Sequence, residues 1–303
     1  RDHGCDWSSD VCSSDLRSMA RGDGIWLRSL TAVSPAGGHM GCKLIAASMR
    51  ARCASYLIAL FNQQTMALSA LIDGNRVTGL RTAATAVLAI DRLAPQRALR
   101  VGVIGSGFEA RGALDCLKSV REVARVRVFS PTPASRERFA ESFRPALDIE
   151  AVNSAQEAVQ ECDVVICAAR SRDESPVLQG AWLSAGTTVV SLGSTLPEQR
   201  EVDAVTMERA VCIVADMPHE VLHDTGDAIA ALSAGVKVAE KLIPLADLVG
   251  GRVHPRQNES DIVLYKSVGS ALQDVVMAEM LYERAKQQGI GIDQLTSIVP
   301  VSK

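Results

Sequence analysis

The chain has 303 residues, 47% of them hydrophobic and 22% charged, with 32 Lys and Arg against 35 Asp and Glu for a net charge of −3. That composition excludes an intrinsically disordered chain, and the length accommodates two modest domains with cores of their own. The near-neutral balance gives no electrostatic footprint for nucleic acid or an anionic membrane, and no apolar run approaches the roughly 20 residues that cross a bilayer. A soluble, cytoplasmic protein is expected, with eight cysteines that form no CxxC pair and read as reduced thiols.

Residues 1–16, RDHGCDWSSDVCSSDL, are rich in Ser, Asp and Cys and show no helical or strand periodicity. They contain no apolar stretch of the kind a secretory signal needs, and DWSSDVCSSDL resembles an in-frame translation of a sequencing-library adapter. An artefactual tail over residues 1–16 is expected. Cys5 and Cys12 then leave the thiol count, and the remainder, from Arg17, reads as an N-terminally truncated protein.

In chain order, residues 24–33 (GIWLRSLTAV) and 66–72 (MALSALI) have strand-like apolar content, the second ending at an Asp73-Gly74-Asn75 turn. Residues 78–93 (TGLRTAATAVLAIDRL), followed by Pro95, predict a helix with Thr78 as its N-cap. From Ala98 the pattern changes. ALRVGVIGSG is an apolar strand running into glycines, EARGALDCLKSV an amphipathic helix, ARVRVFS a second strand and ASRERFAESF a second helix; AQEAVQECDVVICAA and GTTVVSLGS continue the alternation. Such alternation implies parallel pairing through right-handed crossovers, hence an α/β fold with a Rossmann-type doubly wound sheet over residues 95–216. Residues 217–303 read as mostly helical, with a break at GGRVHPRQNESD and a strong helix in GSALQDVVMAEMLYERAKQQ.

Gly105-Ser106-Gly107-Phe108-Glu109-Ala110 is a GxGxxA turn at the junction of the first of these strands and its helix. The first glycine permits the tight turn, the second lets a pyrophosphate approach the backbone, and Ala110 permits close helix–strand packing. Unpaired amides and the helix dipole would then hold a diphosphate. Discrimination between dinucleotides rests on the end of the second strand. An acidic residue there would bond the ribose 2′-hydroxyl, but this chain has Phe129-Ser130-Pro131-Thr132, and the hydroxyls of Ser130 and Thr132 with Arg136 suit a 2′-phosphate. NADP(H) is expected over NAD(H), the alternative being a proline-containing helix start with Arg136 merely solvated.

Five segments, LIDGNRVTGLRTAATA, VGVIGSGFEARG, SLGSTLPEQREVD, HDTGDAI and LYKSVGSALQDVVMAEMLYERA, follow one another in the order and spacing of the ornithine cyclodeaminase/mu-crystallin family, and residues 17–303 resemble that family throughout. The resemblance implies a homodimer, with residues 17–94 and 217–303 forming a discontinuous α+β substrate-binding and dimerisation domain beside the Rossmann domain. It also implies a small cyclic imino acid or amino acid as substrate. Arg81 matches the family's carboxylate-binding arginine, Lys43 its active-site lysine, and Arg17 a second clamp arginine. Thr82 is implied as a phosphate contact, and Lys266, Ser267, Val268 and Gly269 as the segment closing over the nicotinamide. Asp227 matches a family position whose role Asp224 nearby leaves open.

One departure bears on the reaction. Where the cyclodeaminases carry an acid/base Asp, this chain has Ser194 and Thr195. A carboxylate can accept a proton at neutral pH and an aliphatic hydroxyl cannot. Oxidising an amine needs that base; reducing a preformed imine does not, and mu-crystallin-like ketimine reductases resemble this chain in carrying a hydroxyl there. An NAD(P)H-dependent reductase of cyclic ketimines is therefore expected, with catalytic residues Lys43, Arg81 and Thr195 and with Ser194 at the cofactor. The alternatives are an ornithine cyclodeaminase that recycles its NAD and a non-catalytic, NADPH-gated ligand-binding protein. His219, His223 and His254 lack the company of a metal site, and Cys42 lacks a relay histidine, so neither metal nor nucleophilic chemistry is expected.

Overall fold

The computed structural model describes residues 15–48, 50–51, 53–171 and 173–292. The expected tail therefore lies outside the described residues except at Asp15 and Leu16, and these two belong to the first strand. Its alternating burial starts at Asp15, whose carboxylate accepts the amides of Ala271 and Leu272, both at 2.9 Å. The chain divides into two compact units, residues 1–81 with 270–303 and residues 82–269.

The first unit is an antiparallel sheet in strand order β1-β2-β3-β4-β5 (Asp15–Gly22, Ile25–Val33, His39–Ser48, Cys53–Asn62, Leu68–Asp73). Strand alternation sends successive side chains to opposite faces. On the inner face Leu30, Ile45, Ile58 and Leu60 pack with Val77 and with Ala271, Val275 and Ala278 of the final helix. Helix α1 runs Gly74–Leu93, four residues longer at its start than expected. Asp73 caps it by accepting the Asn75 amide, whereas Thr78 lies inside and donates its hydroxyl to the Gly74 carbonyl. The Asp-Gly-Asn triplet is thus a helix start, and Gly74 lets that start approach Tyr56 and Ile58, where a Cβ would sit 3.2 Å from both side chains.

The second unit carries strands β6–β13 (Leu99–Ile104, Val123–Phe129, Ile149–Ala151, Val164–Cys167, Thr188–Ser191, Ala210–Ala215, Leu242–Pro244, Ile262–Lys266). They form one parallel sheet in the order β12-β11-β13-β10-β9-β6-β7-β8. Helices α2–α9 accompany them (Phe108–Val120, Pro133–Phe143, Ala155–Val159, Ala204–Arg209, Pro218–Asp224, Gly226–Ser233, Val238–Lys241, Leu245–Val249). Apolar clusters form around β6, β9 and β10 on both sides of the sheet. The strand order reverses between β6 and β9, the switch point at which such sheets bind dinucleotides.

The expected Rossmann span of 95–216 differs from this unit at both ends. Strand β13, from the segment read as mostly helical, inserts between β10 and β11. Its five residues, IVLYK, are buried throughout and need a strand on each side, an arrangement that a short apolar run does not distinguish from a buried helix turn. The last helix, α10 (Ala271–Gln288), returns to the first unit.

Within β6, a Cβ on Gly102 would lie 2.4 Å from the Ala158 carbonyl oxygen. Gly102→Ala is expected to destabilise the protein by about 1–3 kcal/mol, read as a lower urea midpoint at unchanged m-value.

Candidate functional site

The register of the first unit places Arg17, Leu30, Lys43, Ile58 and Ile72 in one row across its five strands, facing inward. Arg28, two residues before Leu30, shares that face and is buried. Lys43 is fully buried, and its ammonium meets Asp274 Oδ2 at 2.5 Å and donates to Thr78 Oγ1 at 3.4 Å. Asp274 Oδ1 accepts Arg81 Nε at 3.0 Å, and Gln273 Oε1 accepts Arg81 Nη1 at 3.4 Å. Ser270 caps α10 by accepting the Gln273 amide, which sets the turn carrying both acceptors. Burial and the neighbouring Arg81 pull the Lys43 pKa down to about 8, with Arg28 adding to the effect and Asp274 opposing it.

Arg81 and Lys43 are therefore brought together, through an aspartate that the sequence reading did not single out. Arg28 was missed too, and its inward strand position was the only local signal. Asp274 lies 193 residues from Arg81 in the chain, a separation that no local pattern spans.

In the second unit, Gly105 has φ +112°, and a Cβ there would lie 2.5 Å from the Ala168 carbonyl oxygen. Gly107 is the N-cap of α2 and lacks a side-chain cap, and a Cβ on it would meet nothing within 4 Å. Ala110 is fully buried against the sheet, Phe108 is exposed, and Glu109 lies in the same first turn. First-turn amides facing open space over glycine form a cradle that fits a diphosphate.

At the end of β7, Ser106 Oγ donates to Ser130 Oγ at 3.0 Å. Thr132 is the N-cap of α3 without a side-chain bond. Arg136 is not a solvated arginine. It is buried, donates to the Ser130 carbonyl at 3.1 Å and to Asn153 Oδ1 at 2.7 Å, and lies over the Phe129 ring. Thr82 is buried in α1.

The segment expected at the nicotinamide is tied into the ends of the sheet. Lys266 is completely buried, its ammonium 2.8 Å from Asp227 Oδ2 and donating to Ser191 Oγ at 2.9 Å. Ser191 in turn donates to Glu201 Oε2, which also accepts the Gly193 amide, while Glu201 Oε1 accepts the Ala169 amide. Asp227 Oδ1 accepts the amides of Glu201 and Val202, giving Asp227 a structural place that Asp224 does not share. Burial pushes the Glu201 carboxyl up, against the pull of Lys266. The Val268 and Gly269 amides and the Ser267 hydroxyl all donate to Asp216, at the end of the neighbouring strand β11. Lys266, Val268 and Gly269 thus brace the strand ends through these bonds. The physical reason is that a buried ammonium requires a buried anion.

Ser194 is buried with its hydroxyl on the Gln199 carbonyl, and the Thr195 amide donates to Gln199 Oε1. His219 and His223 stack at 4.3 Å, and among the described residues no group of three or more His, Cys, Asp or Glu could hold a metal ion. Likewise, no described helix is long and apolar enough to cross a membrane.

Residues 46–289 match the model of the ornithine cyclodeaminase/mu-crystallin family. The chain belongs to this family. Among its members, the Delta(1)-pyrroline-2-carboxylate reductase of Bacillus cereus (strain ATCC 10987 / NRS 248) is 28% identical over 78% of this chain and 72% of that protein. The ketimine reductase mu-crystallin of Rattus norvegicus is 31% identical over 75% and 68%. The structure of Thermococcus litoralis Delta(1)-pyrroline-2-carboxylate reductase in complex with NADH and L-proline is similar at a TM-score of 0.85 and 28% identity, over 92% of this chain and 88% of that one. The probable ornithine cyclodeaminase of Bordetella pertussis Tohama I gives 0.82 at 32% identity, over 91% and 87%. In the family's architecture the parallel sheet is the expected Rossmann fold.

Removing one partner of the Lys266–Asp227 pair strands a buried charge. Lys266→Met and Asp227→Leu are each expected to cost about 3–5 kcal/mol, and the double variant less than their sum, in a denaturant double-mutant cycle.

Proposed function

We propose that this chain is an NAD(P)H-dependent reductase of cyclic imino acids of the pyrroline-2-carboxylate or ketimine type. The observation that carries this reading is the buried Lys43–Asp274–Arg81 cluster, which offers two cations on one face of a sheet to an anionic substrate. Arg81 and Lys43, with Arg17 in the same row, take the substrate carboxylate; a charge-assisted bond of this kind contributes about 1.5–3 kcal/mol. The relatives named as reductases, and the Thermococcus complex with NADH and L-proline, support the substrate class.

The Gly105–Ala110 turn, with Ser106, Phe108 and Glu109 around the open Gly107, holds the dinucleotide. A bound dihydronicotinamide supplies the hydride that converts the imine carbon to an amine carbon. Lys43, with a pKa near 8, is charged at neutral pH and able to release a proton. Thr195 and Ser194 carry hydroxyls where a lyase needs a base, which favours reduction. NADP(H) is preferred, because the turn after β7 carries Ser130 and Thr132 and no carboxylate, and Arg136 holds that turn through the Ser130 carbonyl.

The protein acts as a homodimer in the cytoplasm. The outward row of the five-stranded sheet is Leu16, Thr31, Cys42, Ala59 and Leu71, with no charge in it. Leu16, Leu27, Val33, Leu57 and Leu71 on that face are between 40 and 60% exposed, an apolar surface of the kind that pairs with its own copy.

A second reading is favoured by one observation: a lysine with its pKa near 8 has a neutral fraction that could serve as the base Thr195 cannot provide. Proline and ammonia formed from ornithine without net cofactor change would establish that lyase and displace the reductase.

Mixing the protein with NADPH or NADH and pyrroline-2-carboxylate or piperideine-2-carboxylate is expected to consume cofactor, NADPH faster. No turnover with any cyclic ketimine would overturn the reading. Activity that needs the Lys43 ammonium is full below pH 8 and falls as the pH rises through about 8. Lys43→Met should lower kcat/KM by roughly 100-fold and remove that alkaline limb. Gly107→Val should weaken dinucleotide binding tenfold or more in a fluorescence titration. Leu27→Asp should halve the mass in sedimentation equilibrium.

A further inference from the structure

Three elements converge on Asp274. Strand β3 supplies Lys43, helix α1 supplies Arg81, and α10 brings the carboxylate that divides its oxygens between them, Oδ2 to Lys43 at 2.5 Å and Oδ1 to Arg81 at 3.0 Å. All three residues are buried, Asp274 and Lys43 almost completely. The groups facing Lys43 are Arg81 from α1, Arg28 from β2 and Asp274 from α10, while its own row adds Arg17 from β1 and only Ile58 from β4. The other titratable inward groups are Asp15 on β1, whose carboxylate accepts the Ala271 and Leu272 amides of α10, His39, which meets Glu279 at 2.8 Å, and Tyr56 on β4. Among these described residues Asp274 is the one carboxylate in contact with Lys43. Burial and the two arginines oppose the ammonium, and Asp274 alone of the named groups favours it.

A carboxylate that grips the lysine also fixes its direction. The Thr78 hydroxyl, itself tied to the Gly74 carbonyl, takes an ammonium hydrogen at 3.4 Å. The Thr78 bond assigns one N–H direction of Lys43, and the ion pair holds the ammonium against Asp274.

We infer that Asp274 is a positioning residue: shared between Lys43 and Arg81, it keeps the Lys43 ammonium charged and aimed, so that Lys43 donates the proton that completes imine reduction. The inference rests on the reductase reading. In the step, a Lys43 N–H bond breaks and an N–H bond forms on the imine nitrogen. Bound reduced nicotinamide would supply the hydride for the imine carbon and be oxidised in the same turnover, and neutral Lys43 regains a proton from water. Arg81, gripped by the same carboxylate and by Gln273, orients the substrate carboxylate beside the Lys43 charge.

The test starts on the substrate-free protein. Trace labelling of lysines with acetic anhydride across pH, read at Lys43 by peptide mass spectrometry, reports its titration without any turnover. In Asp274→Asn the midpoint should fall by a pH unit or more, and Asp274→Glu should restore it. In Arg81→Gln, which removes an opposing cation and leaves the carboxylate to Lys43 alone, the midpoint should rise. An unmoved midpoint in either Asp274→Asn or Arg81→Gln would overturn the inference, and Arg81→Gln decides alone if Asp274→Asn fails to fold. With pyrroline-2-carboxylate and NADPH, Asp274→Asn should shift the alkaline limb of kcat to lower pH by the same amount, leaving the KM for NADPH within twofold. A uniform loss at all pH values would make Asp274 merely structural and overturn the positioning role. Titration shifts without turnover of any imine by the wild type would sink the reductase reading and, with it, the proton-donor role.

Discussion

A lysine ammonium buried beneath a helix can stay charged only if an anion is buried with it, and in the first unit that anion is Asp274. The constraint reaches in three directions. It demands that β3 turn Lys43 inward, that α1 begin early enough for Arg81 to reach the same carboxylate, and that α10 be capped so that its first turn faces the sheet. Asp73 supplies the early helix start and Ser270 the cap. Side-chain caps of this type contribute about 1 kcal/mol each, but here they also decide where charged groups meet.

The second unit solves the same problem at the ends of a parallel sheet. Lys266, Asp227, Ser191 and Glu201 close a fully buried ring made of one ion pair and three hydrogen bonds. Through Glu201 the ring holds the backbone after β9 and after β10, and through Asp216 the segment after β13 is held to β11. These are the carboxyl ends of the strands, where open α/β sheets bind their ligands. Rigid strand ends leave the glycine turn before α2, with its uncapped amides, as the open part of that edge.

Much of this was legible in order of locality. The GxGxxA turn could be placed because each of its residues answers a local need: positive φ at Gly105, open approach at Gly107, close packing at Ala110. Lys43 as an active-site lysine and Arg81 as a carboxylate binder are expected from family resemblance, not from periodicity. Arg136 was read as a phosphate ligand from its spacing, yet its guanidinium holds the Ser130 carbonyl and Asn153, a partner in a segment 17 residues away. Lys266 is implied by the family resemblance, and its buried partner, an aspartate on α7, comes from 39 residues earlier in the chain.

The sequence by itself determined the elements whose cause is short-ranged: an apolar run into a glycine turn, an Ala-rich helix stopped near Pro95, and alternating strands and helices that must pair in parallel. The tertiary structure decided which lysine is braced and which is poised, where β13 enters the sheet, and which carboxylate stands between Lys43 and Arg81. The reason is physical. Backbone conformation responds to neighbours within a few residues, whereas the charge state of a buried group depends on whatever anion the folded chain carries to it, and Asp274 comes from 193 residues beyond Arg81.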